Sequence, residues 1–295
     1  MTSLLFKIVD LKIQQRVFDY LVENCSVVLP SKSSVKKAFK KKQVFINGAI
    51  ASSGDWLKVG DEIVYKSVGD ALQKVFPLDL ELIYEDEYMA VVNKPAGFPV
   101  SGNFHKTIQN ALGYNLKTST LQDALAIPRP VHRLDKLTTG ILLVAKTKSA
   151  QINLGKQFEQ QSISKTYYAI VKGKLEGEGL FNDPIDGLTS STNYKSIKVV
   201  ESLSYNWVSL IELMPISGRT HQLRIHLANA GFPIIGDYVH DTENVLKGKG
   251  LFLAACKIEF SHPQSSKTLS FAIDYPTKYE SLLEREYRRW EKFKS

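Results

Sequence analysis

The apolar residues of this chain change their spacing near residue 80, and that change divides the sequence into two regimes. In the first, Val17, Phe18, Leu21 and Val22 recur at the three-and-four spacing of a helix. A second helix is expected from Ser33 or Ser34 through Lys41, opening on a serine cap. Val44-Phe45-Ile46 reads as a short strand, Asn47-Gly48 as the turn that follows it, and Val59 to Tyr65 as a turn running into another strand. The stretch from Gly69 to Pro77 reads as a linker. The expected organisation is a small module over residues 1–68, a linker over 69–79 and a larger domain over 80–295.

The second regime begins at Leu80-Glu81-Leu82-Ile83-Tyr84. Tyr88 to Asn93 has the apolar density of a buried strand and stops at Lys94-Pro95-Ala96-Gly97, where proline and glycine demand a turn. Thr107 to Leu116 is expected to be a helix, and residues 117–127 an exposed insertion of no legible structure. Pro128-Arg129-Pro130 enforces an extended approach to the stretch from Val131 to Gly140, and Ile141-Leu142-Leu143-Val144-Ala145 immediately after it is too apolar for a surface segment and is assigned as a central strand. A helix over Ser149 to Gln161 precedes Lys165 to Gly173, whose alternation places Lys165, Tyr167, Ala169 and Val171 on one face and Tyr168 and Ile170 on the other. Only one of the two adjacent tyrosines can therefore belong to a given pocket. Trp207 to Leu213 reads as a strand, and a helix is expected from His221 to a stop at Gly231, with Thr220 as its cap. Tyr279, Leu283, Tyr287 and Trp290 form a helical stripe expected to dock against the domain.

Composition narrows the class. With 43% hydrophobic and 23% charged residues the chain is that of a globular protein. Its formal net charge of +8 favours a polyanionic partner, although charge of this size also serves solubility and does not separate RNA from DNA. Cys25 and Cys256 stand far apart with no CxxC pair, which argues against a disulfide framework or a cysteine-rich zinc site and fits a reducing compartment. Met1 to Asp10 lacks the pattern of a signal peptide, and no apolar run approaches the roughly 18 residues of a membrane span, so a soluble cytoplasmic protein is expected.

Several side chains are candidates for chemistry. Lys36, Lys37, Lys40, Lys41 and Lys42 crowd one short helix, as either a phosphate-binding face or a solvated one. Asp135 lies on a loop beside a rigid core strand, a position that suits catalysis, although a lone loop aspartate is more often a turn residue. His221 and His226 are five residues apart and fall on different faces of a helix without an HExxH pattern, so no metal site is expected. The sequence has no glycine-rich phosphate loop, and no nucleotide cofactor is expected.

In order, "NKPAG", "VHRLDKLTTGILLVAK", "KTYYAIVKG" and "SGRTHQLRIHLANAGFPIIGD" closely resemble the RluA-type family of pseudouridine synthases, and "LFLAACKIEFSHPQSSKTLSFAIDYP" extends the likeness to about Pro276. The lysine-rich helix pair followed by "VFINGAI" and "LKVGDEIVY" resembles the small RNA-binding module of ribosomal small-subunit protein four. The likeness implies an α+β fold with a mixed, largely antiparallel central sheet behind a small α/β RNA-binding module. It implies isomerisation of uridine to pseudouridine in RNA, ribosomal RNA being favoured over transfer RNA, by a monomer without cofactor.

The same resemblance assigns roles. Asp135 becomes the catalytic carboxylate, acting either as a nucleophile at the anomeric carbon or as a base on a glycal route. Arg224 becomes its cationic partner, where spacing alone would allow a helix-surface arginine. Tyr167 would lie against the target base, although a strand tyrosine is equally an ordinary core residue. Arg133 would help extrude the base, and Arg219 and Lys94 would support the pocket or contact the RNA backbone. The sequence departs from the family pattern at Thr139, at Ala254 and after Gly236-Asp237, where a tyrosine-glycine ending is missing. A non-catalytic RNA-binding factor with the same fold is the alternative, and an RNA glycosidase, which needs a second acid and an admitted water, is another.

Overall fold

The computed structural model describes residues 2–8, 14–25, 29, 31–67, 75–241 and 248–294. The chain divides into two compact units, residues 1–73 and 74–295. Much of the expected linker, residues 69–74, lies outside the described residues. Residues 75–79 are no tether, because Phe76 and Leu78 pack into the core of the second unit and the Phe76 amide donates to the Asn110 carbonyl at 3.0 Å.

The first unit runs β1 (Thr2–Lys7), α1 (Val17–Asn24), α2 (Lys32–Lys40), β2 (Val44–Ile46), β3 (Ala49–Ile50) and β4 (Glu62–Ser67). Its strands form one antiparallel sheet in the order β1-β4-β2-β3. Asn47 and Gly48 turn the β2–β3 hairpin with φ of 49° and 81°, the left-handed pair that a tight two-residue turn needs. α2 starts earlier than its sequence suggests. Ser31 is the cap, taking the Ser34 amide at 3.1 Å, and the Ser34 hydroxyl accepts the Ser31 amide at 3.0 Å, a reciprocal box that Ser33 and Ser34 cannot make as caps themselves. Val35 and Ala38 on α2 are buried with Val17, Leu21, Val44 and Ile63, while Lys36, Lys37, Lys40, Lys41 and Lys42 are all exposed.

The second unit contains β5 (Glu81–Glu85), β6 (Met89–Lys94), α3 (Ile108–Asn115), β7 (Ala124–Pro130), β8 (Thr139–Thr147), α4 (Lys148–Glu159) and β9 (Ser164–Lys172). It continues through β10 (Glu178–Phe181), β11 (Thr192–Ser202), β12 (Asn206–Pro215), α5 (Gln222–Asn229), β13 (Leu253–Ser261), β14 (Thr268–Ala272) and α6 (Lys278–Phe293). A ten-stranded sheet runs β10-β11-β12-β9-β13-β8-β6-β5, with β14 on β13 and β7 on β8. The sheet is mixed and largely antiparallel, its parallel pairing being β13 with β8. This is an α+β architecture.

The continuous apolar run of β8 has a two-sided explanation. Leu142 and Val144 point to the cluster under α3, whereas Ile141 and Leu143 point to the cluster under α4. At the parallel pairing Thr139 sits opposite Ala254 and Gly140 opposite Ala255, so the two positions that depart from the family pattern face one another. Gly140 has φ of 113°, and a Cβ there would lie 2.1 Å from the Ala255 carbonyl oxygen, which reserves the position for glycine.

Two expectations need correction. Residues 117–127 are no free insertion: the Lys117 amide donates to Glu85 at 2.9 Å, the Thr120 amide to Glu87 at 2.7 Å, and β7 then pairs with β8. The docking stripe of α6 comprises Tyr279, Leu282, Leu283 and Glu286, the last accepting from the Ser202 hydroxyl at 2.7 Å. Tyr287, by contrast, is 41% exposed and stacks on Trp290. No helix among the described residues is long and apolar enough to cross a membrane.

Candidate active site

Asp135 stands on the loop between β7 and β8, held from behind by the end of β6. Lys94, the last residue of β6, is fully buried, and its Nζ donates to the carbonyls of Thr138 at 2.7 Å, Pro95 at 3.0 Å and Lys136 at 3.3 Å. The Gly97 amide adds a bond to the Lys136 carbonyl at 2.8 Å, and the Thr138 amide closes the turn onto the Asp135 carbonyl at 3.1 Å. Burial pulls the Lys94 ammonium down to about 8, against the opposing influence of the Asp135 charge. Of the two roles expected for Lys94, the structure favours support of the pocket over contact with the RNA backbone, because the buried ammonium is bonded to the carbonyls of the loop that carries Asp135.

Arg224, in the first turn of α5, reaches Asp135 Oδ2 through one guanidinium nitrogen at 3.1 Å. Its Nε and remaining nitrogen grip the two oxygens of Asp237 at 2.7 Å each, a forked geometry that fixes the guanidinium plane. Asp237 also accepts the backbone amides of Val239 at 3.1 Å and His240 at 3.2 Å. Burial tends to raise the Asp237 carboxyl, but the hydrogen bonds and charge of Arg224, with those two amides, outweigh it and hold the group below the usual carboxylate range.

The expected cap of α5, Thr220, makes no capping bond. His221 occupies the cap position with φ of 56°, and the order comes from Gln222, whose Oε1 accepts from the Ser217 hydroxyl at 2.8 Å and the Arg219 amide at 2.9 Å. The left-handed backbone turns the His221 ring to within 3.7 Å of Asp135 Oδ2, with its other nitrogen 3.0 Å from His240 Nε2. His226 is buried and takes separate partners, Ser190 and Thr192, each at 3.0 Å. Among the described residues no group of three or more His, Cys, Asp or Glu side chains is arranged to hold a metal ion.

These elements enclose a cavity of about 310 Å³ beside Asp135. Leu134, Phe158, Tyr167 and Leu253 supply apolar wall, while Arg133, Lys165, Arg219 and Arg224 bring positive charge. Such a mixture of apolar wall and a few aimed polar groups characterises small-ligand sites. Tyr167 faces this cavity, and Tyr168 faces away, its hydroxyl donating to Glu212 at 2.8 Å. Burial, with the Asp135 charge, drives the Tyr167 phenol well above its ordinary value, so the hydroxyl is neutral at physiological pH. His132 is also neutral: burial and the Lys165 charge bring it down to about 3, and its Nε2 accepts the Leu143 amide at 3.0 Å. Lys165 itself is lowered by burial.

Asp135, Tyr167, Arg224, Arg133 and Arg219 thus meet in the wall of one cavity, Lys94 lies behind that wall, and the Lys36 to Lys42 cluster belongs to the other unit. Sequence reasoning missed the parts played by Asp237 and by His221, which it weighed only as a metal ligand. Lys165 carried a legible signal, since strand alternation sets it on the same face as Tyr167.

A family model described as RNA pseudouridylate synthase matches residues 88–229, a span that holds Asp135, Tyr167 and Arg224 but ends before Asp237. An "Uncharacterized RNA pseudouridine synthase" of Aquifex aeolicus is 31% identical over 281 residues, covering 85% of this chain and 88% of the relative. The ribosomal large subunit pseudouridine synthase C of Vibrio parahaemolyticus is 32% identical over 290 residues, covering 85% of this chain and 87% of the relative. The ribosomal large subunit pseudouridine synthase D of Nitrosomonas europaea is 30% identical over 284 residues, covering 86% and 80% respectively. The solved structure of human RNA Pseudouridylate Synthase Domain Containing 1 shares the fold, with a TM-score of 0.56 at 22% identity over 70% of this chain and 85% of that one. The chain belongs to the RNA pseudouridine synthase family, whose members are isomerases.

Proposed function

We propose that this protein isomerises specific uridines to pseudouridine in structured RNA, with ribosomal RNA as the favoured substrate and Asp135 as the catalytic carboxylate. The observation that carries the proposal is the Asp135–Arg224 contact of 3.1 Å in the wall of a cavity lined by Tyr167, Phe158 and Leu253. The reaction breaks the bond between ribose and the base nitrogen, turns the base and rejoins the sugar to carbon 5, and the intermediate must be kept from water. A carboxylate held by a fixed guanidinium can attack the anomeric carbon or remove a sugar proton toward a glycal, and both routes begin from this geometry. The apolar wall suits a uracil ring. Tyr167, protonated and facing the cavity, is suited to stacking on that ring, and proton removal from carbon 5 by its phenol requires assistance because burial raises its pKa.

Arg133 and Arg219 are exposed at the cavity, where a guanidinium can occupy the gap left by an extruded base and meet phosphate. The first unit joins this reading as an RNA-binding module: its five exposed lysines on and after α2 form a phosphate-facing surface. Ribosomal RNA is favoured because two of the relatives named above are described as acting on the large ribosomal subunit, and transfer RNA is the second choice. In this reading the chain works in the cytoplasm as a monomer, without metal or cofactor. The test is to incubate the protein with unmodified ribosomal and transfer RNA and map pseudouridine. Pseudouridine in intact RNA supports the proposal; free uracil with abasic sites would replace it by a glycosidase, and binding without either product by a non-catalytic factor.

A further inference from the structure

A second cavity of about 340 Å³ opens beside the first, and the two share Arg133, Leu134, Asp135, His221 and Arg224 as wall. Asp135 therefore stands between two spaces. One is the apolar cavity with Tyr167, and the other is bounded further by Val100, Ser101, Lys136, Tyr238 and Val239. The target base, its ribose and the neighbouring nucleotide of the same strand are covalently linked. If the base enters the first cavity with its sugar over Asp135, the chain has to leave across the same carboxylate, and the second cavity lies there.

The side chains around that second space have the chemistry of single-strand recognition. Tyr238 is 60% exposed and Val239 50% exposed, so neither is placed there by the core. Their backbone is nevertheless held: Asp237, itself 1% exposed, accepts the Val239 and His240 amides while it fixes Arg224. An aromatic ring presented to solvent from a pinned backbone is suited to stacking, because the backbone part of its ordering cost has been met before the ligand arrives. Arg133 and Lys136, both exposed, bring two positive charges to the same space, and the Ser101 hydroxyl offers a polar group to a base edge.

We propose that this second cavity is a subsite for a nucleotide adjacent to the target uridine, with its base stacked on Tyr238 and its phosphate drawn by Arg133 and Lys136. The inference rests on the proposed function and deepens it. It makes Tyr238 a determinant of which uridines are accepted, since a neighbour must be unstacked as well as the target. It also ties neighbour recognition to chemistry, because the loop that presents Tyr238 is anchored on the same Asp237 that orients Arg224.

The test uses an RNA hairpin with a loop of seven uridines and a series in which each loop position in turn is abasic. Equilibrium binding and single-turnover pseudouridine formation are measured with the full chain, Tyr238→Ala and Tyr238→Phe. For the unaltered protein and Tyr238→Phe, an abasic site next to the isomerised uridine should weaken binding by about 5- to 150-fold, the range for one stacked base. For Tyr238→Ala, binding should be weaker throughout and indifferent to that abasic site. Equal sensitivity of Tyr238→Ala and the unaltered protein to every abasic position would overturn the subsite. Absence of pseudouridine in any RNA, with one abasic position still weakening binding of the unaltered protein but not of Tyr238→Ala, would remove the proposed reaction and leave the subsite standing.

Discussion

Arg224 is held more firmly by Asp237 than it holds Asp135, with two bonds of 2.7 Å to the first and one of 3.1 Å to the second. The buried pair therefore sets the guanidinium, and the guanidinium in turn sets the carboxylate at the cavity. Breaking a buried ion pair by removing one partner leaves an uncompensated charge and costs about 3–5 kcal/mol. Asp237→Ala should lose stability of that order in urea unfolding and should reduce turnover more than RNA affinity. The pair also has a pH signature. Because the folded Asp237 carboxyl sits below its unfolded value near ~3.9, its contribution is complete above that value and disappears as the pH falls through the lower, folded one. Asp237→Asn should flatten this acid limb of stability, and an unchanged limb would assign acid unfolding to other carboxylates.

Asp135→Asn keeps shape and removes charge. It should abolish pseudouridine formation while RNA affinity stays within a few-fold, as expected for a group used in the reaction more than in binding. Tyr167→Phe should slow the step at carbon 5 yet retain the base, whereas Tyr167→Ala should impair both. Substantial turnover by Asp135→Asn, or unaltered rates for both tyrosine variants, would contradict these assignments.

Lys94 gives a second pH dependence, of the same sign but in the alkaline range. Its folded value of about 8 lies below the unfolded ~10.4, so between these values the unfolded chain binds more protons and the contribution of this residue to stability rises with pH. Lys94→Met preserves length but leaves the carbonyls of Pro95, Lys136 and Thr138 without their common donor. The Lys136 carbonyl keeps the Gly97 amide, and each of the other two, left unsatisfied, costs about 1–3 kcal/mol. Urea midpoints measured from pH 7 to 10 should show a destabilised variant that lacks the alkaline rise of the unaltered protein. Turnover should fall with it, since the Asp135 loop loses its backing.

The lysine cluster is tested by salt. Replacing Lys36, Lys37, Lys40, Lys41 and Lys42 by glutamine should weaken binding to ribosomal RNA and flatten the dependence of log affinity on log salt, by about 0.7 for each contact to single-stranded RNA lost. Turnover at saturating RNA should change little. An unchanged slope would make the cluster a solvated helix face.

Local rules carried much of the architecture, for identifiable reasons. The run Ile141 to Val144 announced a strand covered on both faces because alternate residues of any strand face opposite ways, and clusters under α3 and α4 do take alternate residues. Strand alternation likewise separated Tyr167 from Tyr168, and the motif around Asp135 singled out the residue that faces the cavity. Tertiary structure decided whatever depends on partners beyond about one helical turn. Arg224 is 13 residues from Asp237 and 89 from Asp135, so no periodicity relates the three. Lys94 reads as a surface turn lysine until the loop after Asp135 folds over it and converts a cation into an internal scaffold. Residues 117–127 look structureless because their order comes from Glu85 and Glu87 on a distant segment. His221 could be placed on a helix from sequence, but its left-handed backbone and its ring beside Asp135 could not, and the next residue, Gln222, is bonded to Ser191 and Thr192, about 30 residues away. Side-chain spacing along the chain specifies which face a residue occupies; what that face meets is specified only when the other elements pack against it.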